Sequence, residues 1–216
     1  MYAVDLHCHT RFFHARAGEP TPFDPVGARL LARYARRRGL DAVALTNHDY
    51  YEPFFLEGVL VIPGIEISTT RGHLLVVGPD PPRRTTPGEL TPEDAVALAH
   101  DRDCVAIIPH PFRHSTVRRS DAPFDAVECN GKHPETHGRA RALANRLGCP
   151  TVGGSDAHFP FEVGRGYTEI EAEELTAEAV VDAVREGRVR AVVDDGRGAR
   201  TMHRLYDVVH RVRGHR

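Results

Sequence analysis

YAVDLHCHT (residues 2–10) decides how the chain is read: a short apolar run, Tyr2 to Leu6, delivers His7 and His9 one residue apart. Alternate residues of an extended strand point to the same side, so the two imidazoles face one way and Cys8 the other. The question is what else the chain brings to that strand end.

Working outward, the pattern alternates. DPVGARLLARYARRRG (24–39) reads as a helix, with Asp24 as cap, Pro25 in the first turn and Gly39 at the left-handed exit. DAVALT, VLVIPGIEIS and HLLVVG read as buried strands, short β-branched runs bounded by Gly, Pro or Asn. TPEDAVALAHD restarts a helix with Thr91 as cap and Asp94 at the capping-box position. CVAIIP and DAVECN are strands, PETHGRARALANRLG a helix ending at Gly148, and TVGGSD a short strand. TAEAVVDAVREG and VRAVVD close the series as helix and strand. Near-continuous apolar strands alternating with helices imply a mostly parallel sheet with helices outside it.

At 216 residues and 41% hydrophobic composition the chain suits one well-buried domain. The net charge of −2 advertises neither a nucleic-acid field nor an acidic tail. The first residues read as a strand, no later run approaches a membrane span, and the expectation is a cytoplasmic protein with no membrane partner. Cys8, Cys104, Cys129 and Cys149 fall in no metal-binding spacing and read as small buried thiols. Fourteen histidines are the compositional oddity.

Their placement is not random. His7 and His9 follow the first strand, His48 follows DAVALT, Glu66 lies in VLVIPGIEIS, His110 follows CVAIIP, and Asp156 and His158 follow TVGGS. In a parallel barrel these strand ends share one rim, where such folds build active sites. Each residue alone has a plainer explanation: His110 as a hydrogen-bonded rim residue, Asp156 as a helix cap. Glu66 resists one, because an ionised carboxylate in an apolar run must be paired or bound to a cation. The recurrence at strand after strand, in imidazole and carboxylate, suits zinc, manganese or iron.

DLHCHT, TNHD, GIEIS, the PHP of IIPHPF, and GSDAH, in that order, resemble the motifs of the PHP family, named for polymerase and histidinol phosphatase domains. The resemblance extends to about Thr168 and implies an α/β fold, a distorted (β/α)7 TIM-like barrel with a metal site at the C-terminal rim of the strands. It implies up to three divalent ions: one on His7, His9, Glu66 and Asp156, a second on Glu66, His73 and His110, a third on His14, His48 and His158. His73 is a position that the residues alone do not single out. Two departures from the family pattern stand out: His14 where many relatives carry Asp, and Asn47 where an Asp would orient the neighbouring imidazole.

The implied activity is hydrolysis of a phosphomonoester, on a small molecule or nucleotide, by a hydroxide bridging the ions, with Glu66 and Asp156 as ligands. Arg113, directly after the PHP motif, is the expected phosphate-binding side chain. Arg118 and Arg119 could equally be a solvated basic pair and His114 a hydrogen-bonded loop residue or a leaving-group acid, while Lys132 could reach the mouth of the site, although a lone loop lysine is usually surface. Competing readings are a phosphodiesterase or exonuclease on short nucleic acid and a metal-binding module without catalysis. An amidohydrolase fits less well, since His48 and Glu66 follow the first pair at once. The barrel is expected over residues 1–196, followed at 197–216 by a basic amphipathic helix packed on it.

Overall fold

The structure is a computed structural model describing residues 1–10, 18–113 and 115–193, to which the structural statements below refer. The elements run β1 (Tyr2–Cys8), α1 (Asp24–Arg37), β2 (Ala42–Leu45), β3 (Leu60–Thr69), β4 (Gly72–Val77), α2 (Pro92–His100), β5 (Val105–Ile108), β6 (Ala126–Asn130), α3 (His137–Leu147), β7 (Thr151–Gly154), β8 (Gly166–Ile170), α4 (Ala177–Arg185) and β9 (Val189–Val193). Short 3₁₀ turns lie at Val117–Arg119, Pro134–Thr136 and Pro160–Glu162. The helix expected over 197–216 lies outside the described residues, and among the described ones no helix is long and apolar enough to cross a membrane.

The strands form one sheet in the order β7-β6-β5-β4-β3-β2-β1-β8-β9. Parallel pairs join β1 to β2, β2 to β3, β5 to β6 and β6 to β7. β4 runs antiparallel to β3 and β5, and β8 to β1 and β9. The sheet curls until β7 meets β8, where Thr168 Oγ1 accepts a hydrogen bond from Gly153 N at 2.8 Å and donates to Gly153 O at 2.9 Å. A Cβ at Gly153 would stand 2.2 Å from Tyr167 O, so this closure needs glycine. The architecture is the expected mixed α/β barrel, nearly closed.

It departs from strict β/α alternation where the chain is too short to cross over. Only Thr70 and Arg71 separate β3 from β4, which makes a hairpin and forces β4 antiparallel. That register pairs Ser68 with His73, and because alternate residues share a face, it puts His73 on the same side as Glu66. Ile62 on β3 and Leu75 and Val77 on β4 lie on that face too, in an apolar cluster with Val4, Leu6, Ile107 and Ile170 of other strands and Val180 and Val184 of α4. These residues floor the rim site.

Local rules account for the helices. Thr91 and Asp94 form the expected capping box at α2, and α3 ends at Gly148 with φ 72°. At α1 the cap differs from expectation: Phe23 holds that position and Asp24 is the first helical residue. Asp24 instead binds the preceding loop and Tyr50, accepting from Thr21 N at 2.7 Å and Tyr50 OH at 3.0 Å. Cys8 packs with Leu31, Ala32 and Leu45, away from its histidine neighbours.

Candidate metal centre

Glu66 is fully buried, and both of its oxygens are surrounded by imidazole nitrogens. Oε1 lies 2.9 Å from His73 Nδ1 and 3.2 Å from His110 Nε2. Oε2 lies 3.2 Å from His48 Nδ1 and 3.4 Å from both His7 Nε2 and His9 Nε2. Asp156 supplies the second carboxylate, its Oδ1 standing 3.1 Å from His158 Nδ1, 3.4 Å from His9 Nε2 and 3.6 Å from His7 Nε2. Every expected ligand within the described residues therefore meets in one cluster; His14 lies outside them.

The donor set fits divalent ions. Two donors bound at ~2.1 Å in tetrahedral arrangement stand ~3.4 Å apart, which is the spacing seen between these oxygens and nitrogens. The buried Nε2 of His9 has no hydrogen-bond partner, as a lone pair directed at a cation would not. Three groups each offer ligand atoms within 4.8 Å of one another: His7, His9 and Glu66; His48, Glu66 and His73; and His9, His48 and His158. His48 thus sits nearer Glu66 than a separate third set implies.

Electrostatics point the same way. Burial alone raises a carboxyl pKa, yet His48, His73 and His7 hold Glu66 well below the usual carboxylate range. Asp156 is likewise held down against burial by Lys132, His158 and His7. Burial pulls His9 and His48 down to about 3 and His158 to about 4, leaving these imidazoles neutral, the form that ligates. His7 goes the other way: against burial, Glu128, Glu66 and Asp156 raise it well above its ordinary value.

The backbone is strained at the rim. His110 (φ 26°), Asp156 (φ 52°) and Asp49 (φ 59°) are left-handed without being glycine, at roughly 1–3 kcal/mol each. Surrounding bonds hold them there. Glu128 Oε2 accepts from His110 N at 2.7 Å, and the Asp49 carboxylate accepts from Ser68 N at 2.9 Å, Ser68 Oγ at 2.6 Å and Thr85 Oγ1 at 2.9 Å. Asn47 ties the same turn to the loop after β1, its Oδ1 accepting from Thr10 N and its Nδ2 donating to Thr10 Oγ1, each at 2.9 Å. The amide there fastens one loop to another.

Two carboxylates behind the cluster escaped the sequence reading. Glu128 Oε1 accepts from His7 Nδ1 at 2.8 Å, which leaves Nε2 as the nitrogen turned to the cluster. Asp5 joins the loop after β7 to β1, accepting from Ser155 N at 2.9 Å and Gly164 N at 2.8 Å. The rule that singled out Glu66, a carboxylate in an apolar strand, applies equally to Glu128 in DAVECN. Arg113 does reach the site, with Nη1 3.3 Å from Asp156 Oδ2. Arg118 does not: it donates to Pro111 O at 3.0 Å and lies over the Phe112 ring. Of the two positions open to Lys132, the structure gives the inner one: it is 5% exposed. His114 lies outside the described residues.

The chain is similar to several known proteins. Residues 134–189, which carry Asp156 and His158, match the PHP-associated family model. In fold the chain is similar to a two-domain Bacteroides vulgatus protein containing a predicted PHP-like metal-dependent phosphoesterase, with TM-score 0.62 and 20% identity over 89% of this chain and 64% of that one. That segment and the fold are thus similar to PHP proteins. Other proteins are similar too. PsfC of Pseudomonas syringae shares the fold at TM-score 0.75 and 20% identity, over 95% of this chain and 97% of its own. Endonuclease Q, in complex with a 27-mer duplex bearing an abasic lesion, matches at TM-score 0.60 and 19% identity, over 86% of this chain and 56% of its own. An uncharacterized Methanocaldococcus jannaschii protein is 29% identical over 141 residues, 56% of this chain and 75% of that protein.

Proposed function

We propose that this chain is a PHP-type hydrolase of phosphoric ester bonds that releases phosphate from a phosphomonoester, small molecule or nucleotide. It would work with two or three divalent ions of zinc, manganese or iron. His7, His9, Glu66 and Asp156 would hold one ion, Glu66, His73 and His110 a second, and His48 and His158 with His14 a third. The single observation that carries this reading is Glu66, a fully buried carboxylate with imidazole nitrogens of five histidines within 3.4 Å of its two oxygens.

Ions bound there supply Lewis acidity to phosphoryl oxygens and lower the pKa of water. The side chains do the rest. Glu128 fixes the His7 tautomer, Asp5 holds the β7 loop so that Asp156 turns inward, and Arg113 offers a guanidinium fork to a phosphoryl oxygen at the cluster's edge. The fold likeness to Endonuclease Q supports a second reading, cleavage of a phosphodiester in nucleic acid. Asp156→Asn and His48→Ala separate catalysis from folding: each is expected to remove turnover while the far-ultraviolet circular dichroism stays unchanged. Full activity in either variant overturns the site assignment. A wild-type protein that cleaves a dinucleotide but no monoester replaces the first reading by the second.

A further inference from the structure

Lys132 is the single lysine among the 28 lysines and arginines of the chain, and it stands in the wall of the candidate metal centre. Its backbone is held firmly. Lys132 N donates to Asn130 Oδ1 at 2.9 Å, Asn130 Nδ2 donates to Glu128 Oε2 at 2.9 Å, and Gly131 N donates to Gly154 O at 2.8 Å. A Cβ at Gly131 would lie 2.7 Å from Gly166 N, so the turn that presents Lys132 is packed against β8 without slack.

From this turn Nζ reaches 3.6 Å from Asp156 Oδ2, 3.5 Å from Glu162 Oε2 and 3.2 Å from His158 Nδ1. Arg113, from the loop after β5, brings Nη1 to the same Asp156 Oδ2 at 3.3 Å. Asp156 is therefore divided, Oδ1 toward His7, His9 and His158 and Oδ2 toward two cations. Lys132 and Arg113 thus converge from two loops on one side of Asp156, beside the candidate ion sites, a geometry suited to an anion bound next to the cluster.

Building on the phosphoesterase reading, we infer that Lys132 is a second phosphate-binding residue, gripping with Arg113 the non-bridging oxygens of the substrate's phosphoryl group. Arg113 supplies the planar fork and Lys132 a compact point charge from the opposite loop. The narrower alternative is that Lys132 only neutralises Asp156 and Glu162.

Inorganic phosphate titrated calorimetrically into manganese-loaded protein separates the two. Metal content by mass spectrometry and the melting temperature are followed in parallel. Lys132→Met is expected to weaken phosphate binding about ten- to a hundredfold, the loss of one charge-assisted contact, with metal content unchanged. Should that variant not fold, Lys132→Gln removes the same charge while keeping a donor for Glu162, and the same weakening is expected. Phosphate affinity equal to wild type, no phosphate binding by wild type, or a loss that merely follows lost metal each overturns the inference. The outcome is independent of turnover. Ester hydrolysis with an unchanged KM in Lys132→Met leaves the phosphoesterase reading standing and removes this one. Lys132-dependent phosphate binding in a protein that hydrolyses no ester does the reverse.

Discussion

Replacing Glu128 by Gln tests whether the layer behind the histidines sets their chemistry. The Glu128 carboxylate accepts three hydrogen bonds: Oε1 from His7 Nδ1 at 2.8 Å, and Oε2 from His110 N at 2.7 Å and Asn130 Nδ2 at 2.9 Å. A glutamine has one accepting oxygen. Facing it toward His110 N and Asn130 keeps two bonds and turns the amide NH₂ toward His7 Nδ1, which must then accept. A neutral imidazole accepting at Nδ1 carries its proton on Nε2, the nitrogen lying 3.4 Å from Glu66 Oε2, and cannot ligate there. The opposite amide orientation sets two donors against the NH₂ instead. Either way the expected cost is a 10- to 100-fold loss of metal affinity, or about 1.4–2.7 kcal/mol. Competition against a fluorescent zinc chelator measures it, with circular dichroism verifying the fold. Zinc affinity within twofold of wild type refutes the tautomer argument.

Glu66→Gln removes the charge shared by the two first ion sets, and zinc content by mass spectrometry is expected to fall by at least one ion per chain; unchanged stoichiometry contradicts the bridging assignment. Metal resupplied to chelator-treated protein at 100 times its dissociation constant is expected to add about 2.7 kcal/mol of stability, read as a rise in melting temperature, whereas an unmoved transition means the native cluster binds no ion. Gly153→Ala forces a Cβ to 2.2 Å from Tyr167 O across the β7–β8 closure, and chemical denaturation is expected to show a loss of several kcal/mol. Thr91→Ala deletes the α2 capping box, which contributes no ligand to the cluster, and should cost about 1 kcal/mol of stability without changing zinc affinity.

Much of this was legible in the sequence because both signals involved are local. Strand ends bounded by Gly, Pro and Asn announced where the rim residues fall, and Thr91-Pro92-x-Asp94 or Gly148 announced helix ends through backbone chemistry that acts within four residues. His73 is different. Its role depends on the β3–β4 hairpin register, which a two-residue connection sets and no single-strand pattern shows. Glu128 was missed, and Lys132 left undecided, for a related reason: their partners, His7 and Asp156, lie far away in the chain, and a lone lysine after a strand looks like surface until barrel closure buries it. The family resemblance drew attention to Asn47 as a missing carboxylate, whereas the structure engages it with Thr10.

The most direct test of the central claim is phosphate release from nucleoside monophosphates and sugar phosphates by the purified protein, with manganese or zinc and then with excess chelator. Release that requires added metal, stops with chelator and returns when metal is restored is the result predicted here. Release indifferent to chelator, or no release from any phosphate ester by protein shown to hold metal, contradicts it.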